Sequence, residues 1–168
     1  REPEAVVIRA QVIIVTKCPD DITHDQMVQL ATKLGLSSQQ QLFFTGLRYV
    51  NCYPLNIQQP IVQVPFQQSV ILMTGIAGNK QLKSYLSGKF STIHIAAFSD
   101  HHYFREKDFL RVAGSFPDTK TILTTEKDAM RLSEQKDILL QMGFSVFVLP
   151  VDVHFLGDEE KFWNLIST

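Results

Sequence analysis

Thr121-Ile122-Leu123-Thr124-Thr125-Glu126-Lys127-Asp128 decides the fold. Its first five residues have the β-branched and aliphatic composition of a buried strand, and a helical pattern from Lys127 to Met142 follows almost at once. Thr125 and Asp128 have the T-x-x-D spacing of a capping box. The same rhythm extends outward in both directions. Val70 to Thr74, Thr92 to Phe98 and Phe144 to Val153 read as strands, while Lys80 to Leu86 and Arg105 to Ala113 read as helices. Strands alternating with helices predict an α/β fold, a doubly wound, mostly parallel or mixed sheet flanked by helices. Asp158 is expected to cap a last helix that buries Phe162, Trp163 and Ile166.

Upstream, the β-branched run Val12 to Val15 continues a strand-like stretch that begins near Val6 and ends in Thr16-Lys17-Cys18-Pro19-Asp20. Thr23 can cap a helix carrying Met27, Leu30, Ala31 and Leu34, which Gly35 ends, and Gln41 to Tyr49 reads as a further strand. Between Val50 and Ser69 there is no charged residue, but there are three prolines and five glutamines. That change of composition places a domain junction there. The expected organisation is therefore residues 1–50, a linker over 51–69, and a second α/β domain over 70–168. The alternation in Ile61 to Pro65 allows a short edge strand within the linker.

Of the 168 residues, 45% are hydrophobic, enough for one ordinary core. Lys and Arg total 16 against 17 acidic residues, which leaves no basic excess to draw the chain onto nucleic acid. Cys18 and Cys52 have no CxxC spacing, which argues against a zinc ribbon, a redox pair or a secreted disulfide framework and fits a reducing cytosol. Apolar runs such as Val70 to Met73 fall far short of the ~20 residues of a membrane-spanning helix. Arg1-Glu2-Pro3-Glu4 is not a signal peptide, and so abrupt a start suggests a piece of a longer chain.

Ligands of such sheets gather at the carboxyl ends of the strands. Thr74-Gly75-Ile76-Ala77-Gly78-Asn79-Lys80 resembles a phosphate loop only superficially. Two residues separate its glycines where a Walker A loop has four, and Gln81 follows Lys80 where Ser or Thr is needed, so a tight turn capped by Asn79 is the simpler reading. With no other loop able to cradle a triphosphate, the segment alone is expected to be inactive.

In Ser99-Asp100-His101-His102-Tyr103-Phe104 a carboxylate stands beside two imidazoles, a combination that can orient a base or hold a metal. On an extended chain Asp100 and His102 would share one face and His101 the other, which disfavours a metal site built on both histidines. Asp100 could instead simply cap the helix that begins near Phe104. Lys127 lies in a first helical turn, against the helix dipole. It either meets an anion or is a solvated lysine balanced by Glu126 and Asp128. Thr16-Lys17-Cys18-Pro19 sits where nucleotide-binding proteins place N-K-x-D, with Thr in place of Asn and Asp20 displaced by one.

Taken together, V-T-K-C near Val15, T-G-I-A at Thr74, F-S-D-H-H at Phe98, T-T-E-K-D-A at Thr124 and L-P-V near Leu149 resemble the carboxy-terminal half of the tetraacyldisaccharide 4′-kinases, also called lipid A 4′-kinases. The resemblance implies a P-loop-kinase-like fold. It also implies ATP-dependent transfer to the 4′-hydroxyl of a tetraacyldisaccharide 1-phosphate in lipid A biosynthesis, at the cytoplasmic face of a Gram-negative inner membrane. Residues up to about Val50 would finish the P-loop domain, and the smaller domain would close the active-site cleft. ATP and Mg²⁺ would be held mainly by upstream residues, with Thr16, Lys17 and Lys127 as candidate nucleotide contacts, and membrane contact would also lie upstream. Asp100-His101 matches the family's D-H pair, whose His is thought to reach the catalytic carboxylate. Gly78-Asn79 departs from the Asn-Pro of many members. The competing readings are a metal-dependent phosphoesterase of the Asp-His-His type, for which no D-x-D appears on the earlier strands, and a non-catalytic interaction domain.

Overall fold

Strands buried on both faces carry aliphatic and small side chains on both, and three segments have that character, their Ser and Thr residues standing mostly at the strand ends. These are β4 (Ser69–Thr74), β6 (Thr121–Thr125) and β7 (Ser145–Leu149), which are buried almost throughout. The computed structural model describes residues 7, 9–56, 58–75 and 80–167. The remaining elements are β1 (Val12–Cys18), α1 (His24–Leu34), β2 (Gln41–Tyr49), β3 (Tyr53–Pro54), α2 (Lys80–Leu86), β5 (Thr92–Ala97), α3 (Glu106–Ser115), α4 (Glu126–Ser133), α5 (Lys136–Gln141), β8 (Val151–Phe155) and α6 (Glu159–Ile166). The fold is mixed α/β, in two compact units: residues 1–48 with 152–168, and residues 49–151.

In the second unit the sheet order is β3-β7-β6-β4-β5, parallel except for the antiparallel edge strand β3. Alternation along the strands separates two cores. Ile71, Met73, Ile122 and Val146 join Phe109 and Val112 of α3, Leu132 of α4 and Leu139 of α5. Val70, Leu72, Leu123, Phe147 and Leu149 join Leu82 and Leu86 of α2. Helices thus cover both faces, and each fully buried side chain such as Phe109 contributes about 1.5–3 kcal/mol relative to exposure.

The uncharged segment 51–69 belongs to this unit instead of linking two others. Ile61 and Val64 pack on the second core, and no strand forms between Ile61 and Pro65. Buried Gln59 accepts the Val146 N–H at 3.1 Å and donates to Ile61 O at 2.7 Å, while Ile61 N–H donates to Ser145 Oγ at 2.8 Å. Lack of charge here reflects packing against a sheet.

In the first unit β1 runs parallel to β2, with α1 between them in the chain, and β8 completes the order β1-β2-β8. Thr23 and Gln26 form the reciprocal capping box of α1, and Gly35 ends it with φ 62°. Residues 152–168 therefore lie outside the unit in which the composition placed them. Pro150, which has no N–H, separates β7 from β8 where the sequence suggests one strand over Phe144 to Val153. The helix expected over Lys127 to Met142 is likewise two, α4 and α5. On α6 Phe162 packs inward, against Phe43 and Phe155, while Trp163 and Ile166 are about half exposed. Asp158 holds the cap position at φ 51° without a capping hydrogen bond. No helix of the described residues is long and apolar enough to cross a membrane.

Candidate functional site

β4 continues to β5 on one side of the sheet and β6 to β7 on the other, so the loops after the adjacent strands β4 and β6 diverge. Such a switch point is where α/β sheets bind ligands. Asp128 organises it. This residue is 1% exposed, and its Oδ2 accepts Thr74 Oγ1 at 3.0 Å, Gly75 N–H at 3.0 Å and Thr125 Oγ1 at 3.2 Å. Arg131 donates to Oδ1. Burial would raise the Asp128 carboxyl, but the Gly75 amide, the Arg131 guanidinium and the two hydroxyls outweigh it and hold it below the ordinary range. Thr125 thus occupies the cap position of α4 without bonding the backbone there; its hydroxyl serves the carboxylate.

Gly75 also lets the β4 and β5 loops touch. A Cβ there would stand 2.9 Å from Ser99 O and 3.5 Å from Asp100 Cα. The rest of the phosphate-loop-like turn, including Gly78-Asn79, lies outside the described residues.

Asp100, His101 and Lys127 come together at this place. Lys127 Nζ donates to Asp100 Oδ1 at 2.5 Å, and the same oxygen accepts His101 N–H at 3.0 Å. Asp100 Oδ2 lies 3.6 Å from His101 Nε2. The Lys127 ammonium holds the Asp100 carboxyl below its ordinary range, with His101 and its amide assisting. Lys127 is therefore not balanced by Glu126 and Asp128: Glu126 accepts Val151 N–H, and Asp128 is buried.

The extended-chain assignment of faces does not hold. His102 N–H bonds Ser99 O at 3.2 Å and His101 has φ 59°, so residues 99–102 form a turn that sets Asp100 beside His101. His102 goes elsewhere. Its ring lies against Phe98 and Phe104, and its Nε2 is 2.9 Å from Asp108 Oδ2. Asp100 does not cap α3; Asp108 does so, accepting the Arg105 N–H at 3.0 Å. Burial would raise the Asp108 carboxyl, but His102, that amide and Arg111 hold it low. An open pocket of about 490 Å³ beside this pair is lined by Phe98, Ser99, His102, Lys107, Asp108 and Arg111.

Thr16 and Lys17 belong to the first unit, both exposed, at an irregularity of the β1–β2 register that puts Lys17 at φ 61°. Nearby, Asp20 Oδ1 and His154 Nε2 meet at 3.0 Å against Gly46, where a Cβ would be 2.7 Å from Asp20 Oδ1. The sequence reading missed Asp128 and Asp108 as hubs. Arg131 three residues after Asp128 and Arg111 three after Asp108 were the signals available.

The profile of the family described as tetraacyldisaccharide-1-P 4′-kinase matches residues 1–168. This chain belongs to that family. A tetraacyldisaccharide 4′-kinase of Phocaeicola vulgatus is 36% identical over 171 residues, covering 98% of this chain and 47% of that protein. One of Bacteroides fragilis is 31% identical over 175 residues, covering 98% and 46%. Among solved structures, the LpxK protein of Aquifex aeolicus, described as an "apo" form in complex with ATP, matches at 22% identity and TM-score 0.49, covering 99% of this chain and 45% of that one. The chain spans a little under half the length of the curated relatives it matches.

In this chain of the tetraacyldisaccharide 4′-kinase family, two donors of the described part of these loops are engaged within the protein. The Gly75 N–H donates to Asp128, and one N–H of Lys127 donates to Asp100. No group of three or more His, Cys, Asp or Glu placed to hold a metal occurs among the described residues.

Proposed function

We propose that the whole protein transfers a phosphoryl group from ATP, with Mg²⁺, to the 4′-hydroxyl of tetraacyldisaccharide 1-phosphate in lipid A and lipopolysaccharide biosynthesis, and that this chain supplies a loop completing the site. Family membership along all 168 residues carries the reading. ATP and Mg²⁺ are held mainly by residues upstream of this chain, at the cytoplasmic face of the inner membrane, and membrane contact lies upstream too. Residues 1–50 end the nucleotide-binding domain, with Thr16 and Lys17 contributing at its rim. The strained φ of Lys17 supports a role there, since such strain collects at functional sites.

Phosphoryl transfer depends on positioning and on electrostatic stabilisation of the moving group. His101 has its side chain 75% exposed, while its backbone N–H is tied to Asp100. An imidazole so presented is available to hydrogen-bond a carboxylate of the upstream part, fix its orientation and tune its proton affinity. Steady-state kinetics of the full-length enzyme test this. His101→Ala is expected to lower kcat at least about 10-fold, toward the ~10²-fold and above typical of acid–base assistance, with little change in KM for ATP or in melting temperature. Wild-type kcat in that variant would remove His101 from the reaction.

A further inference from the structure

We infer that Lys127 is a positioning residue for His101, acting through Asp100, and not a ligand of nucleotide phosphate. The inference rests on the kinase reading above and deepens it. Asp100 is a bridge: one oxygen takes the Lys127 ammonium and the His101 N–H, and the other faces the His101 ring. His101 stands in the left-handed region at φ 59°, a conformation that a non-glycine residue keeps only when its surroundings impose it. Asp100 is what the structure offers for that purpose, and Lys127 restrains Asp100.

Lys127 is itself rigidly placed. Its chain neighbour Asp128 is buried and bonded to the ends of β4 and β6 and to Arg131, which fixes the first turn of α4. From the other side Gly75 packs under the backbone of Ser99 and Asp100, so the loops of three strands meet at Asp100. A lysine in a first helical turn opposes the dipole, and an ion pair with side chains 42% and 59% exposed adds little stability. Neither helix formation nor stability accounts for a lysine at this position, whereas holding Asp100 does. One N–H of the Lys127 ammonium is committed to Asp100, so the lysine spends part of its charge on this carboxylate.

The test uses the full-length enzyme with Lys127→Met, Lys127→Arg, Asp100→Asn and the Lys127→Met/Asp100→Asn double variant, each assayed for kcat, KM for ATP and melting temperature. Lys127→Met should lower kcat roughly 10-fold, part of the ~10²-fold that a 1 Å misplacement can cost, with KM for ATP and melting temperature little changed. Lys127→Arg should restore kcat to within about 3-fold of wild type, since the charge and donors are kept. The double variant should be no slower than Asp100→Asn, because the lysine acts only through that carboxylate. A raised KM for ATP that adds to the Asp100→Asn effect would overturn the inference in favour of a phosphate ligand. Unchanged kcat, or loss of kcat in both lysine variants together with a lowered melting temperature, would overturn it as well. In either case wild-type turnover and a slow His101→Ala variant would leave the kinase reading standing. A wild-type enzyme without turnover would overturn both.

Discussion

Asp128 shows what a single carboxylate costs and supplies inside a protein. Left unpaired at 1% exposure it would be strongly unfavourable, so four donors surround it, one of them a guanidinium. Asp128→Asn removes the charge that Arg131 needs. The expected loss of stability is about 2 kcal/mol, less than the roughly 3–5 for breaking a fully buried pair because Arg131 keeps some exposure. Urea unfolding of this chain would measure it. The pH dependence has a definite sign. The folded-state pKa of Asp128 is depressed, so the unfolded chain binds more protons in acid. Its contribution is complete above the unfolded value near 3.9 and is lost as pH falls through the lower folded value. Unfolding free energy measured from about pH 5 to about pH 2 should fall less steeply for Asp128→Asn than for wild type; equal slopes would show that this carboxylate titrates alike in both states. Asp100 and Asp108, also depressed, add slope of the same sign.

Among the elements, the uncharged stretch is the one whose behaviour its composition conceals. Prolines and glutamines suggest a linker, yet β3 pairs with β7 and Gln59 is 5% exposed, bonded to the backbone of Val146 and Ile61. Gln59→Ala would leave the Val146 N–H buried without its acceptor, at a cost of about 1–3 kcal/mol. Thermal melts compared with an exposed control such as Gln63→Ala would detect it, and a loss of only a few tenths would mean the strap is loosely held. Pro150 acts at the same level. Two strands that look continuous in hydropathy are divided there, so β7 stays in the five-stranded sheet while β8 joins β2.

At the level of the whole molecule, residues 49–151 form one continuous stretch of chain with both buried clusters inside it. This stretch is expected to fold alone, with a single cooperative urea transition by far-ultraviolet circular dichroism; a non-cooperative, gradual loss of signal would show that it depends on the rest of the protein. The sole tryptophan, Trp163, belongs to the other unit and would report on that unit separately in the whole chain.

Most elements were legible from local pattern. The strands β4, β5 and β6, the helix α2 and both caps of α1 lie where alternation, Thr23 and Gly35 indicate, because a residue's tendency to face a core depends on its own hydrophobicity and on near neighbours. The D-H pair was visible as residue types, but not its geometry, since a left-handed turn at His101 cannot be read from alternation. Partnerships across the chain were hidden altogether. Lys127 finds Asp100, Asp128 finds Thr74, and His102 finds Asp108 only once β6 has inserted beside β4 and the β5 loop has turned. Periodicity tells each residue which face it takes, whereas strand order and turn dihedrals decide whom it meets, and those follow from packing the whole sheet at once.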